Sequence, residues 1–283
     1  MFVFKYKGKV YAVNPSDSEL NSTFLFQSVT ERTLANAQLS RDKKKLYFFD
    51  RDHLVFDFDT REVTPVQNLP EYRSSAIMLK KPDLNFVLYG IWDEYNEYYT
   101  YIRHYSFDLS IVIRDYRTMC VKPYTPNVVG QSLDGSKLLY NCDGGPFYYL
   151  KTLNDPDYED RLIIANLKNF NDPLFSPDVL FSPDGSKLIF NRNIDGFWIL
   201  INLNCANPIS QKRKIYFNVD PKTFRQLSIS DDTNKLYFTI KNNREGIKLY
   251  EIEYNSLFEN DYSNPQTPLN IGQGRPIELG PEN

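Results

Sequence analysis

The chain has 283 residues, of which 41% are hydrophobic and 15% aromatic, and its formal net charge is −3. A disordered chain would carry few aromatics, and the balanced charge leaves no basic field for nucleic acid, so no nucleic-acid partner is expected. No run approaches the roughly 18 apolar residues of a membrane-crossing helix, so no membrane span is expected either.

Met1-Phe2-Val3-Phe4-Lys5-Tyr6-Lys7 alternates as a strand does and lacks the apolar core of a signal peptide. The tripeptide Asn21-Ser22-Thr23 matches a glycosylation site, at the frequency chance allows in an Asn-rich chain. A turn signal then appears at Leu39-Ser40-Arg41-Asp42-Lys43-Lys44-Lys45-Leu46, followed by strands expected at Leu46–Asp50, Leu54–Asp59 and Val63–Val66. A weaker copy, Leu79 to Phe86, precedes strands expected at Phe86–Trp92, Tyr98–Phe107 and Ile111–Tyr116. Further copies start at Gln131, Phe181 and Ile229.

The most complete copy reads Phe181-Ser182-Pro183-Asp184-Gly185-Ser186-Lys187-Leu188-Ile189-Phe190. Pro183 presets φ, Asp184 can bond the local backbone and Gly185 can adopt positive φ, so this is strand, tight turn, strand. Leu279-Gly280-Pro281-Glu282-Asn283 repeats its opening. The leading positions 39, 79, 131, 181, 229 and 279 are spaced by 40, 52, 50, 48 and 50 residues. Each interval has room for four short strands, which is one propeller blade. The expectation is one domain, residues 1–283: an all-β, six-bladed β-propeller with four-stranded blades. The last turn copy lacks a following strand, so ring closure is expected through pairing of Pro276–Leu279 with Phe2–Lys7, which would remove an open edge.

The run Phe181 to Phe190 resembles the repeat of the TolB-like propellers, distant relatives of WD-repeat proteins, whose pattern is aromatic-Ser-Pro-Asp-Gly-x-x-Leu-x-Phe. The resemblance implies a fold and says little about function. The copy at Gln131 departs from it, with Gln131 and Leu133 in place of the aromatic and the proline.

Chemistry-bearing motifs are sparse. His53 and His104 are the only histidines, too few for a multi-histidine metal centre. No Gly-x-Ser-x-Gly elbow is present, and Gly272-Gln273-Gly274 lacks the third glycine of a nucleotide loop. Asp231-Asp232 and Lys43-Lys44-Lys45 fall within turn copies. Neither metal nor cofactor is therefore expected, and the chain is read as non-enzymatic. Cys120, Cys142 and Cys205 are odd in number and form no CxxC pair, which argues against a disulfide framework and for the reducing cytoplasm.

Two surfaces are candidates. Aromatics near Trp92, Tyr95 and Tyr98, with Tyr148 and Tyr158 from the long connection Asp143–Asp160, make an expected partner-binding face. Polar residues four positions before the turns, namely Asn127, Arg225 and Arg275, with Arg73 and Asp178 nearby, are expected at one mouth of the channel, where arginines can receive an anion. The leading functional expectation is a protein-interaction scaffold with a protein partner. The alternative is a small-molecule or glycan-binding propeller, with or without a hidden activity, whose site is the channel mouth.

Overall fold

The computed structural model describes residues 1–29, 37–40, 42–49, 53–66, 76–78, 86–92, 99–105, 112–121, 124, 126–132, 134–142, 145, 147–153, 160–164, 178–192, 197–204, 213–219, 224–229, 234–242 and 246–281. Within them the fold is all-β, a β-propeller of small sheets. The first sheet joins β1 (Phe2–Tyr6), β2 (Lys9–Val13) and β4 (Thr23–Gln27). The second runs β5 (Gln38–Leu39), β6 (Lys45–Phe49), β7 (His53–Asp57) and β8 (Val63–Pro65). The third runs β9 (Ala76–Met78), β10 (Phe86–Trp92), β11 (Tyr99–Tyr105) and β12 (Val112–Val121). The fourth runs β13 (Pro126–Gln131), β14 (Lys137–Cys142), β15 (Tyr148–Thr152) and β16 (Arg161–Ile164). The fifth runs β17 (Asp178–Phe181), β18 (Lys187–Arg192), β19 (Phe197–Asn202) and β20 (Arg213–Ile215). In the last, β21 (Phe224–Ile229), β22 (Lys235–Asn242), β23 (Gly246–Glu253) and β24 (Arg275–Glu278) are joined by β3 (Leu20–Asn21). One short helix, α1 (Ser256–Glu259), follows β23.

The turn chemistry recurs as hydrogen bonding. The Ser182 hydroxyl donates to Asp184, whose carboxylate also accepts the Ser186 amide at 3.0 Å, and the Lys187 amide donates back to Ser182 Oγ at 3.0 Å. Ser132, Asp134, Ser136 and Lys137 repeat this set, as do Ser40, Asp42, Lys44 and Lys45. The residue after the aspartate takes positive φ each time: 64° at Gly185, 65° at Gly135 and 59° at Lys43. Lys43 therefore pays a steric cost that glycine avoids.

The core lies between sheets. Leu139 and Tyr148 pack on Leu188 and Phe190, and Trp198 and Leu200 pack on Leu236 and Phe238. Phe2, Phe4 and Val13 pack on Tyr237, Leu249 and Ile277, so the first and last sheets are in contact. The inner strands come very close: a Cβ on Gly130 of β13 would stand 2.9 Å from the Cβ of Val179 of β17.

Two expectations change. Among the described residues strand number is not uniform, since the first sheet has three strands and the last has five. The expected pairing of Pro276–Leu279 with Phe2–Lys7 is replaced by another seam. β1 pairs with β2 from Phe2↔Val13 to Tyr6↔Lys9, across a Lys7-Gly8 turn with both φ values positive. β24 instead extends its own sheet beside β23 and meets β3 in parallel, Ile277 opposite Leu20 and Glu278 opposite Asn21. β1 takes its partner from the local Lys7-Gly8 hairpin, and the C-terminal strand completes the last sheet.

Candidate functional site

The first strands β13, β17 and β21 run side by side, each toward a copy of the turn. Their starting ends carry three polar cross-strand pairs. Asn127 stands opposite Asn141, Asp178 opposite Asn191, and Arg225 opposite Thr239. Asn141, Asn191 and Thr239 occupy one repeat position, ten residues after 131, 181 and 229. Polar groups at a buried register need a reason, because desolvating them costs free energy unless they are bonded. Asn141 is 2% exposed and Thr239 fully buried. The Asn141 Oδ1 atom is buried and meets no hydrogen-bond partner, a rare condition in a folded protein. Asn127, opposite it on β13, is half-buried. Asn127 and Asn141 place carboxamides at one end of the inner strands, at the register that Asp178, Arg225 and Thr239 share. Such a set suits hydrogen-bonding a polar ligand.

The other expected residues distribute differently. Arg275 lies on β24, where its guanidinium donates to the backbone oxygens of Asp17, at 2.9 Å, and Pro15. It ties the last sheet to the connection between β2 and β3, and its expected place at the channel mouth depended on the strand exchange that does not occur. Arg225 is on β21 as expected, while Arg73 lies outside the described residues. Trp92 ends β10 opposite Thr100. Tyr95, Tyr98 and Tyr158 lie outside the described residues. Tyr148 is fully buried, its ring edge-on to Phe190 at 4.9 Å, so it serves the core and presents no ring to a partner. His53 opens β7 and His104 lies on β11 opposite Arg114.

Two features escaped the sequence reading. Asp160 is paired with Lys151 at 2.8 Å, both side chains almost wholly buried, and accepts a hydrogen bond from Tyr140. Burial, and then the Asp160 charge, push the Tyr140 hydroxyl far above its ordinary value, so it stays protonated as a donor. Its oxygen accepts the Met119 amide at 2.9 Å, and Lys151 donates to the Arg117 carbonyl at 2.9 Å. The second feature is a disulfide between Cys120 and Cys142. This corrects the expectation drawn from cysteine count: strand register, which spacing along the chain does not reveal, brings β12 and β14 together. A disulfide is the state of an oxidising compartment, so the cysteine argument for a cytoplasmic location no longer carries. Among the described residues no helix is long and apolar enough to cross a membrane.

No protein-family model matches the chain, and no curated protein matches it in sequence. Solved structures do. TolB from Acinetobacter baumannii superposes with a TM-score of 0.54 at 11% identity, over 89% of this chain and 61% of that one. The chain therefore spans about three fifths of that relative's length. A protein described as TolB from Agrobacterium tumefaciens gives 0.52 at 12% identity, over 82% of this chain and 80% of that one. A Bacteroides uniformis protein described as a 6-phosphogluconolactonase gives 0.50 at 14% identity, over 100% of this chain and 83% of that one. This last neighbour overturns the reading of the chain as non-enzymatic. The fold occurs in a protein described as an enzyme, so the lack of a serine elbow or a histidine cluster does not argue against catalysis. At these identities the likeness carries the fold alone, and the fold of this chain is a TolB-like β-propeller.

Proposed function

We propose that the chain is a ligand-binding β-propeller whose six sheets act as blades of a closed ring, with its site where β13, β17 and β21 begin. The carrying observation is the buried Asn141 oxygen without a partner, next to half-buried Asn127 and level with the Asp178–Asn191 and Arg225–Thr239 pairs. The ligand is a small polar molecule that donates a hydrogen bond to Asn141 and offers an anionic or hydroxyl group to Arg225. Small-molecule sites fix their ligands by a few placed polar groups.

The test is a thermal-shift screen of polyols, sugars, sugar acids and dicarboxylates against the intact chain. A true ligand raises Tm in the wild type and loses most of that shift in Asn127→Ala and in Arg225→Met. A panel that leaves the wild type unmoved, or shifts all three proteins alike, removes the reading.

A protein partner is the second reading. Met119, Val121, Tyr124 and Phe147 are exposed large apolar residues flanking the two half-cystines in sequence. Exposed apolar groups of this kind are what a partner surface needs.

A further inference from the structure

We propose that the Cys120–Cys142 disulfide is a redox latch on the start of β13 and the end of β14, and through it on the candidate ligand site. The inference rests on that site for its consequence and on strand placement for its mechanism. Cys142 directly follows Asn141 on β14 and stands opposite Pro126, the residue before Asn127. Cys120 belongs to β12, the outermost strand of the neighbouring sheet. The bond therefore anchors the end of the strand that carries the unpartnered Asn141 oxygen to a different sheet.

The sheets do not depend on this bond for docking. The Tyr140 oxygen accepts the Met119 amide, Lys151 donates to the Arg117 carbonyl, and the Tyr116 hydroxyl donates to the Leu153 carbonyl at 2.9 Å. Ile102, Tyr116, Val128, Leu138 and Tyr140 pack together behind them. These contacts lie before Cys120 in β12 and persist when the disulfide opens. At this end Cys120 is tied to β11 through its carbonyl and Thr100, and Cys142 to β13 opposite Pro126, so the disulfide is the covalent tie between the two strand ends. Its opening frees an end and leaves the domain folded.

The two cysteines differ in exposure. Cys120 is 1% exposed, whereas Cys142 is half-buried. A low-molecular-weight thiol, glutathione being the type, attacks Cys142 Sγ as its thiolate. The protein S–S bond breaks, a mixed disulfide forms at Cys142, and Cys120 leaves as a thiolate that takes up a proton. A second glutathione thiolate attacks the mixed disulfide, releasing Cys142 as a thiol and glutathione disulfide. Two electrons pass from two glutathiones to the protein, and the two protons they lose end on Cys120 and Cys142.

The experiment uses the intact chain, oxidised and after reduction with glutathione, with thiol alkylation and mass measurement to confirm that the pair has opened. Hydrogen exchange is followed by residue. Reduction is expected to speed exchange at residues 127–129 and 140–142 while 188–190 and 236–238 stay protected, and Cys120→Ser is expected to match the reduced protein. The panel ligand is then expected to bind the reduced form about fivefold or more weakly, the scale of a real coupling between two sites. Unchanged exchange near Asn141 after confirmed reduction overturns the latch. So does a disulfide that opens only when the whole domain unfolds, or faster exchange with unchanged ligand affinity. If the oxidised protein binds nothing in the panel, the site reading fails separately, and the exchange measurement still decides whether the latch exists.

Discussion

Asp184 concentrates the local chemistry of the repeat. Partial burial pushes its carboxyl upward, but the hydrogen bonds from Ser182 and Ser186 outweigh that and hold it down at about 2. Asp134 and Asp42 are lowered in the same turn, by the same kinds of bond. A depressed carboxyl contributes stability that is present above its unfolded value near pH 4 and is lost as pH falls through the folded value. The protein should therefore lose stability between about pH 4 and pH 2, and Asp184→Asn should flatten part of that dependence in acid-unfolding curves. Asp184→Ala removes the acceptor outright and should cost about 1–2 kcal/mol at neutral pH in urea unfolding, a figure kept low because the group is largely solvated. This turn was legible in the sequence because its causes are local: a hydroxyl, a carboxylate and a glycine within five residues. Asn141 was not legible. Its significance is that its oxygen lacks a partner, and that depends on strands β13 and β15 on either side. The nearest sequence signal was the polar residue at one fixed repeat position in three copies, Asn141, Asn191 and Thr239.

At the scale of the strand, β12 shows how an outer edge is protected. It is ten residues long, and its free edge would expose unpaired amides and carbonyls. Tyr140 and Lys151 from the neighbouring sheet satisfy the Met119 amide and the Arg117 carbonyl, and Asp160 holds both side chains in place. Asp160→Ala leaves a buried ammonium uncompensated and should cost about 3–5 kcal/mol. Replacing Lys151 and Asp160 together with Met and Leu should recover a large part of that loss, measured as the shift in urea midpoint. If the double variant is no better than Asp160→Ala, the cost lies in the exposed β12 edge and not in the unpaired charge. The strands themselves were readable from alternation: Phe86–Trp92 matches its expected bounds, and Lys45–Phe49 lies within one residue of them. Their lateral neighbours were not, because alternation fixes which face a residue takes and is silent on which sheet it meets.

For the whole molecule, the repeat spacing announced a propeller, but nothing in it specified the seam. A seam made of two parallel residue pairs, Ile277 with Leu20 and Glu278 with Asn21, is too short to leave a pattern in either segment. The contacts that hold it are steric and polar. The Ser22 amide donates to the Glu278 carbonyl at 2.8 Å, and the Arg275 guanidinium caps the Asp17 carbonyl. Gly280 passes so close that a Cβ there would stand 2.1 Å from the Ser22 backbone oxygen. Backbone cannot yield as a flexible side chain can, so Gly280→Ala should separate β24 from β3 at a cost of about 1–3 kcal/mol, the usual range for overpacking. Deleting residues 274–283 goes further. It removes β24, strips Ile277 from the cluster shared by Phe2, Phe4, Tyr237 and Leu249, and bares the edge of β23. First and last sheets held by this seam should respond cooperatively. Both changes should lower a single melting transition, the deletion more than the point substitution, and the truncated chain should aggregate through its exposed edge. If instead Gly280→Ala or the deletion leaves Tm and solubility at wild-type values, the packing of Phe2 and Phe4 against the last sheet suffices to hold the ends together, and the β24–β3 seam is dispensable.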